Sequence, residues 1–127
     1  MNANKRNLIV VVTHGIEHEL SSAALTIANG GITAGLKVSI FLTSAGVDIA
    51  RKRAADMTHV HPLEPLAALL KDFIERGGQL WACTPCVASR GYEQDDLIDG
   101  TVITGASPMH GLIAEGAATL SLSLIHI

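Results

Sequence analysis

Leu8-Ile9-Val10-Val11-Val12 is an unbroken apolar run, β-branched at four of its five positions. It has no alternating polar face, so it reads as a strand covered on both sides, the kind that parallel sheets contain. Downstream, Leu20, Ala23, Ala24, Ile27 and Ala28 recur at helical spacing, and Ile32 extends the stripe. Gly30 and Gly31 each weaken a helix by about 1 kcal/mol relative to Ala, so a break or bend is expected there. Gly35 is the expected stop. Val38-Ser39-Ile40-Phe41-Leu42 follows as a second strand.

The same alternation continues along the chain. Residues 47–55 suggest a short helix. Leu63, Leu66, Ala67, Leu70, Phe73 and Ile74 form an amphipathic helix that starts just after Pro62 and stops at Gly77-Gly78. Leu80-Trp81-Ala82 is a third strand, and Thr101-Val102-Ile103-Thr104 a fourth strand or part of a loop. Ser107 is the expected N-cap of a further helix, with Pro108 at its first position. Met109, Leu112 and Ile113 make its apolar face and Gly116 its stop, before a last strand over residues 118–124. Such β-α alternation predicts a three-layer α/β/α fold around a mostly parallel sheet of about five strands. The chain, residues 1–127, is expected to be one domain, with a flexible start over residues 1–6.

Composition narrows the function classes. Charged residues are only 17% of the chain, against an average of about 25%. Apolar residues are 48%, which excludes disorder. A domain this small has a large surface for its volume, and too few charges are present to cover it. Either another chain or a membrane would have to bury the difference. The uncharged stretch at residues 20–36 contains Ser21, Ser22, Asn29, Gly30, Gly31 and Gly35, a poor membrane span. A net charge of −3 and 3% aromatic content argue against a nucleic-acid partner. The polar start runs straight into the first strand with no signal-peptide pattern, so a cytoplasmic location is expected.

In open parallel sheets the working groups lie on loops at the carboxyl ends of strands. Three loops qualify: residues 13–18, 43–46 and 83–86. The last holds both cysteines, Cys83-Thr84-Pro85-Cys86. In a cytosolic protein such a pair suggests thiol, redox or metal chemistry. With Thr84 as N-cap and Pro85 as first helical residue, Cys86 falls in the first helical turn, where unpaired N–H groups favour thiolate over thiol. Arg90 is a candidate cation for the same pocket, and Gly91 keeps the helix short. The alternative is that both cysteines are small buried hydrophobes. A thioredoxin reading fails, because too little chain follows Cys86 and two βα units precede it.

Metal binding has weak support: one CxxC, with His59 and His61 as scattered further ligands, so no metal site is assigned. His14, with Gly15, and His110 lie near strand or helix ends, where a histidine can serve a thiol as base. They are named with Thr84 as candidate pocket residues. His18 is better read as a solvent-facing or capping residue. Thr13-His14-Gly15 has no GxGxxG pattern, so no nucleotide site or other cofactor is assigned. Arg51-Lys52-Arg53 reads as a solvated helix face.

From residue 7 to residue 122 the ordered segments resemble the DsrE/DsrF-like family of sulfur-relay and sulfur-oxidation proteins. The similar segments include Thr13-His14-Gly15, Ala28-Asn29, Gly35-Leu36-Lys37-Val38 and Ile40-Phe41-Leu42-Thr43 with Gly46-Val47. They continue through Cys83-Thr84-Pro85-Cys86, Arg90-Gly91-Tyr92, Asp96-Leu97-Ile98-Asp99-Gly100, Gly105-Ala106-Ser107 and Glu115-Gly116-Ala117-Ala118-Thr119-Leu120-Ser121. The resemblance implies a compact α/β/α fold and assembly into homotrimers or homohexamers. That habit favours a subunit interface over a membrane as the explanation for the missing surface charge.

In the sulfur-relay members, a cysteine opening a Cys-Val-Ala/Ser segment with a downstream Arg-Gly accepts sulfane sulfur. Cys86-Val87-Ala88-Ser89-Arg90-Gly91 is similar, so the resemblance assigns the persulfide to Cys86. The CTPC arrangement departs from the relay pattern and adds Cys83 as a partner thiol. Gly111 stands where an acidic residue usually follows the histidine, and residues 123–127 depart from the family's close, as a foreign extension would.

The leading expectation is a cytoplasmic persulfide carrier, sulfurtransferase-like if it is an enzyme, served by a sulfur donor or acceptor protein. Cys86 is its nucleophile, Cys83 its partner thiol and Arg90 its electrostatic helper. The first alternative is a thiol-disulfide or peroxiredoxin-like protein cycling Cys83–Cys86. The second is a non-catalytic oligomeric scaffold or small-ligand-binding module.

Overall fold

The computed structural model describes residues 5–123. The apolar run at 8–12 lies within β1 (Asn7–Val12), and Ile9 and Val10, which point to opposite faces, are both fully buried. Such burial is available only to an internal strand. β1 sits between β2 (Lys37–Leu42) and β5 (Ala118–Ser121), and pairs in parallel with both. β3 (Gln79–Cys83) extends the sheet beyond β2, and β4 (Val102–Thr104) forms the far edge, again in parallel. The order is β4-β3-β2-β1-β5, five strands in all.

Register divides the side chains into two faces. Leu8, Val10, Val12, Val38, Ile40 and Leu42 join one core cluster. Leu25 and Ala28 of α1 (Glu19–Thr33) and Leu66, Leu70 and Phe73 of α2 (Leu66–Glu75) pack into it. Ile9, Phe41 and Trp81 alternate to the other face. There α4 (Ser107–Ala114) covers them, with Pro108 and Leu112 lining a small cavity beside Ser39 and Trp81. No residue of α4 is fully buried, and Ile113, Val102 and Leu120 remain exposed.

The helix expected to bend at Gly30-Gly31 runs through both. A Cβ on Gly31 would stand 2.9 Å from Leu8 Cδ2 and 3.0 Å from Val38 Cγ2, so glycine here lets α1 approach the sheet. Gly30 meets nothing within 4 Å. Gly30→Ala is therefore expected to stabilise the fold by about 1 kcal/mol through helix propensity. Gly31→Ala should show no such gain. A raised denaturation midpoint in both variants would contradict this account of the packing.

Other local expectations are corrected. The amphipathic helix begins at Leu66 rather than after Pro62, because Pro65 bars Glu64 from the helical region. The short helix expected over 47–55 is a 3-10 helix that starts earlier and ends earlier (Ser44–Ala50). The segment after it is drawn into pairing: Ile98 N–H donates to the Ala50 carbonyl at 2.8 Å, and Arg51 bridges antiparallel to Leu97. Arg51-Lys52-Arg53 is exposed but not helical, and Arg53 has a left-handed φ of 70°. Residues 102–104 are a strand, and the final strand closes at Ser121. Residues 1–4 of the expected flexible start and residues 124–127 of the expected tail lie outside the described residues. No helix of the described residues is long and apolar enough to cross a membrane.

Candidate functional site

A parallel sheet places all strand carboxyl ends on one edge. Leu42 of β2 is in register with Ala82 of β3, so the loop after β2 lies beside the turn that carries the cysteines. β3 ends at Cys83 and α3 (Thr84–Ser89) starts immediately. Cys83 itself is the residue before the helix, so Thr84 and Pro85 are its first two positions and Thr84 makes no capping bond. The same one-residue shift applies to α4, where Ala106 precedes the helix and Ser107 opens it. In both, proline occupies a first-turn position whose N–H would have no helical partner.

Cys86 Sγ is held mainly from outside its own helix. Ser44 N–H donates to it at 3.2 Å, and Thr43 Oγ1 lies 3.6 Å away. Thr43's hydroxyl and then Ser44's amide hold the thiol below its ordinary value of 9.0; burial opposes them, and Cys83 and Arg90 add smaller lowering effects. Ser44 has a φ of 54°, a conformation that non-glycine residues rarely adopt and that clusters at functional sites. Sequence reasoning placed the loop at 43–46 on the correct edge but did not assign Thr43 or Ser44 to the thiol.

Arg90 is anchored on both sides. Its Nη1 donates to the Cys86 carbonyl at 3.4 Å and its Nε pairs with Asp48 Oδ1 at 3.1 Å. Tyr92 OH donates to the same carboxylate oxygen at 2.6 Å, and Arg51 lies 5.7 Å above the Tyr92 ring. The Asp48 hydrogen bond, then burial, pushes the Tyr92 phenol above its usual value, keeping it a donor. Asp48 was not anticipated. Its signal is a lone carboxylate inside the apolar segment Gly46-Val47-Asp48-Ile49-Ala50.

The other candidates fall at varying distances from this centre. A Cβ on Gly15 would stand 3.5 Å from the Ala45 carbonyl, so the β1–α1 loop abuts the loop that holds Cys86. Ser21 Oγ, fully buried, shares its proton between the carbonyls of His14 and Gly15 at 2.8 and 2.6 Å. The His14 ring stacks on His18 at 4.0 Å. His18 is the N-cap of α1, its Nδ1 accepting from Leu20 N–H at 3.1 Å. Thr84 is exposed, and His110 lies along α4 with Nδ1 3.3 Å from the Ala106 carbonyl. The rings of His59 and His61 lie 4.2 Å apart. Among the described residues, no group of three or more His, Cys, Asp or Glu could hold a metal ion.

The model of the DsrE/DsrF-like family matches residues 6–122. The chain belongs to this family. An uncharacterized protein of Methanocaldococcus jannaschii is 36% identical to it over 96 residues, covering 76% of this chain and 78% of that one. An uncharacterized protein of Methanopyrus kandleri is 33% identical over 95 residues, 75% of this chain and 73% of the other. Among solved structures, the ychN protein from E. coli superposes with a TM-score of 0.74 at 18% identity, covering 93% of this chain and 99% of that one. A protein of unknown function from Methanobacterium thermoautotrophicum gives 0.72 at 15% identity, covering 93% and 100%. These structural neighbours share the fold of this DsrE/DsrF-like chain, a five-stranded parallel sheet with helices on both sides.

The thiol environment of the DsrE/DsrF-like chain makes a direct prediction. Thr43→Val removes the hydroxyl that does most to favour the thiolate and nearly conserves volume. A hydrogen bond of about 0.5–1.5 kcal/mol corresponds to a two- to tenfold change in thiolate fraction. Cys86 alkylation at neutral pH should slow by roughly that factor and recover at alkaline pH. An unchanged pH–rate profile would show that Thr43 does not set the titration. The folded thiol titrates below the unfolded one. Its contribution to stability is therefore full above the unfolded value near 9.0 and is lost as pH falls through the folded value.

Proposed function

We propose that the chain carries sulfane sulfur as a persulfide on Cys86. The observation that supports this most strongly is the pair of donors on Cys86 Sγ, the Ser44 amide and the Thr43 hydroxyl. They favour the thiolate, the form that attacks sulfur. In the loading step the Cys86 thiolate attacks the terminal sulfur of a donor persulfide, R–S–SH. The S–S bond of the donor breaks, R–S⁻ leaves, and Cys86–S–SH remains. Arg90, fixed by Asp48, adds a small favourable charge effect at Cys86 that also suits an anionic sulfur species.

Family membership agrees with a sulfur-relay role and does not specify the donor or acceptor. The reading places the protein in the cytoplasm, where thiols stay reduced, and as a homotrimer or homohexamer. Exposed Ile113, Val102 and Leu120 favour assembly. The test is mass spectrometry after incubation with a low-molecular-weight persulfide. A gain of roughly 32 Da, one sulfur atom, is expected on the peptide containing Cys86. Modification of Cys83 alone, or of neither thiol, would end the proposal. Native mass spectrometry of the same sample reads the assembly, and a stable monomer would remove that part of it.

One observation favours a second reading. Cys83 lies close enough to Cys86 to add to the lowering of its titration. Its thiolate can attack the inner sulfur of Cys86–S–SH, forming a Cys83–Cys86 disulfide and expelling HS⁻. Return to the dithiol then takes two electrons from a reducing thiol. A thiol-disulfide protein would cycle these two states without accumulating the persulfide.

A further inference from the structure

A cavity of about 680 Å³ lies away from the cysteines, with none of Thr43, Ser44, Cys83 or Cys86 in its walls. Its floor is apolar: Ala55, Ala67, Leu70, Ile74 and Ile98. Leu70 and Ala55 are buried and the other three half-buried, so the floor continues the main core to the surface. The volume is within the range of about 300–1,000 Å³ typical of small-ligand sites.

The walls are fixed by backbone hydrogen bonds that no regular element requires. Lys52 N–H donates to the Asp96 carbonyl at 2.9 Å, Ile98 N–H to Ala50 at 2.8 Å, and Leu66 N–H to Thr58 at 2.9 Å. Arg53, at the lip, has the left-handed φ noted above. This is one of two such non-glycine residues among the described residues, and the other, Ser44, holds the thiol.

The rim is charged and its balance is specific. Four cations line it, Arg51, Lys52, Arg53 and Lys71, against Asp56, Glu75 and Asp99. Lys52 pairs with Asp99 at 3.9 Å and Arg53 with Asp56 at 3.7 Å. Among the described residues, Arg51 and Lys71 pair with no carboxylate. Glu75 offsets one of them, which leaves one excess positive charge above an apolar floor.

We propose that this cavity binds an amphipathic monoanion, an aliphatic carboxylate whose chain covers Leu70, Ile74 and Ile98 and whose headgroup reaches Arg51 and Lys71. The site is independent of the sulfur chemistry.

The experiment is an NMR titration of the protein with octanoate, with 1-octanol and acetate as probes of chain and headgroup alone. Saturable shifts at the amides of Arg51, Ile74 and Ile98 are expected for octanoate. Octanol should bind roughly tenfold more weakly and acetate should give no saturable shift, because a charge-assisted contact contributes about 1.5 kcal/mol or more. Arg51→Gln combined with Lys71→Gln should bring octanoate down to the octanol level. Ile74→Glu, which places a like charge on the floor, should abolish binding while thermal denaturation still shows a folded protein. Cys86→Ser should bind octanoate as wild type does, whether or not sulfur loading occurs. Octanol equal to octanoate, acetate equal to octanoate, or no saturable shift at these amides would each overturn the proposal.

Discussion

Cys86→Ser is expected to take up no sulfur at all, while Cys83→Ser loads and keeps it. The difference rests on position. Cys86 Sγ receives the Ser44 amide and faces the Thr43 hydroxyl, so its thiolate is favoured before any donor arrives. Serine at 86 nearly preserves size and hydrogen bonding but has no sulfur with which to form an S–S bond, so the loss should be complete. Cys83 ends β3 one residue before the helix, and the proposed carrier uses it only as a second thiol. Removing it eliminates the route by which an intramolecular attack expels HS⁻. The Cys86 persulfide should therefore persist longer in Cys83→Ser than in wild type. Mass spectrometry over time after removal of the donor measures both effects. Sulfur uptake by Cys86→Ser, or faster loss from Cys83→Ser, would contradict the assignment of roles.

Gly46→Ala is expected to be the most damaging single-methyl change in the loop that serves the thiol. A Cβ at this position would run into the carbonyl oxygen of Val12. That oxygen also accepts the Thr43 N–H at 3.0 Å, and Gly46 N–H in turn donates to the Thr43 carbonyl at 2.9 Å. The obstacle is backbone at the end of a central strand, so it cannot swing aside as a side chain would. The loop must move, and Thr43 and Ser44 move with it. Overpacking combined with a strained or lost hydrogen bond should cost about 3 kcal/mol, near the upper end of such changes. Denaturant unfolding measures that loss. Cys86 alkylation at neutral pH should also slow as its two donors are displaced. Wild-type stability in Gly46→Ala would show that the loop has slack that the packing does not reveal.

Much of the architecture is legible because it depends on local pattern. A β-branched run such as 8–12 has few alternatives to a buried strand, and the repeated β-α spacing leaves a parallel sheet as its natural arrangement. The start of α2 was legible too, once Pro65 is weighed above Pro62, since each proline restricts the residue before it. The 3-10 helix at 44–50 was not. Val47, Ile49 and Ala50 are apolar at a spacing that also suits an α-helix. Pairing of residues 50–52 with residues 96–98, distant in sequence, ends the helix early. Gly31 shows the same limit: propensity predicts a weak point, whereas packing against Leu8 and Val38 makes it a point of contact.

The amino-acid order alone determined that the two thiols stand at a strand-to-helix junction on the carboxyl edge of a parallel sheet, because that follows from hydrophobic periodicity and the local chemistry of proline. It also brought Arg90 within one helical turn of Cys86. Only the tertiary structure decided what favours the thiolate. Thr43 and Ser44 reach Cys86 because β2 and β3 are neighbours in register, and Asp48 fixes Arg90 because the 3-10 helix folds back across the sheet edge. The cavity at Arg51 likewise exists only where segments far apart in sequence are clipped together. Contacts between distant segments depend on strand order and register, and neither is written in any single stretch of the chain.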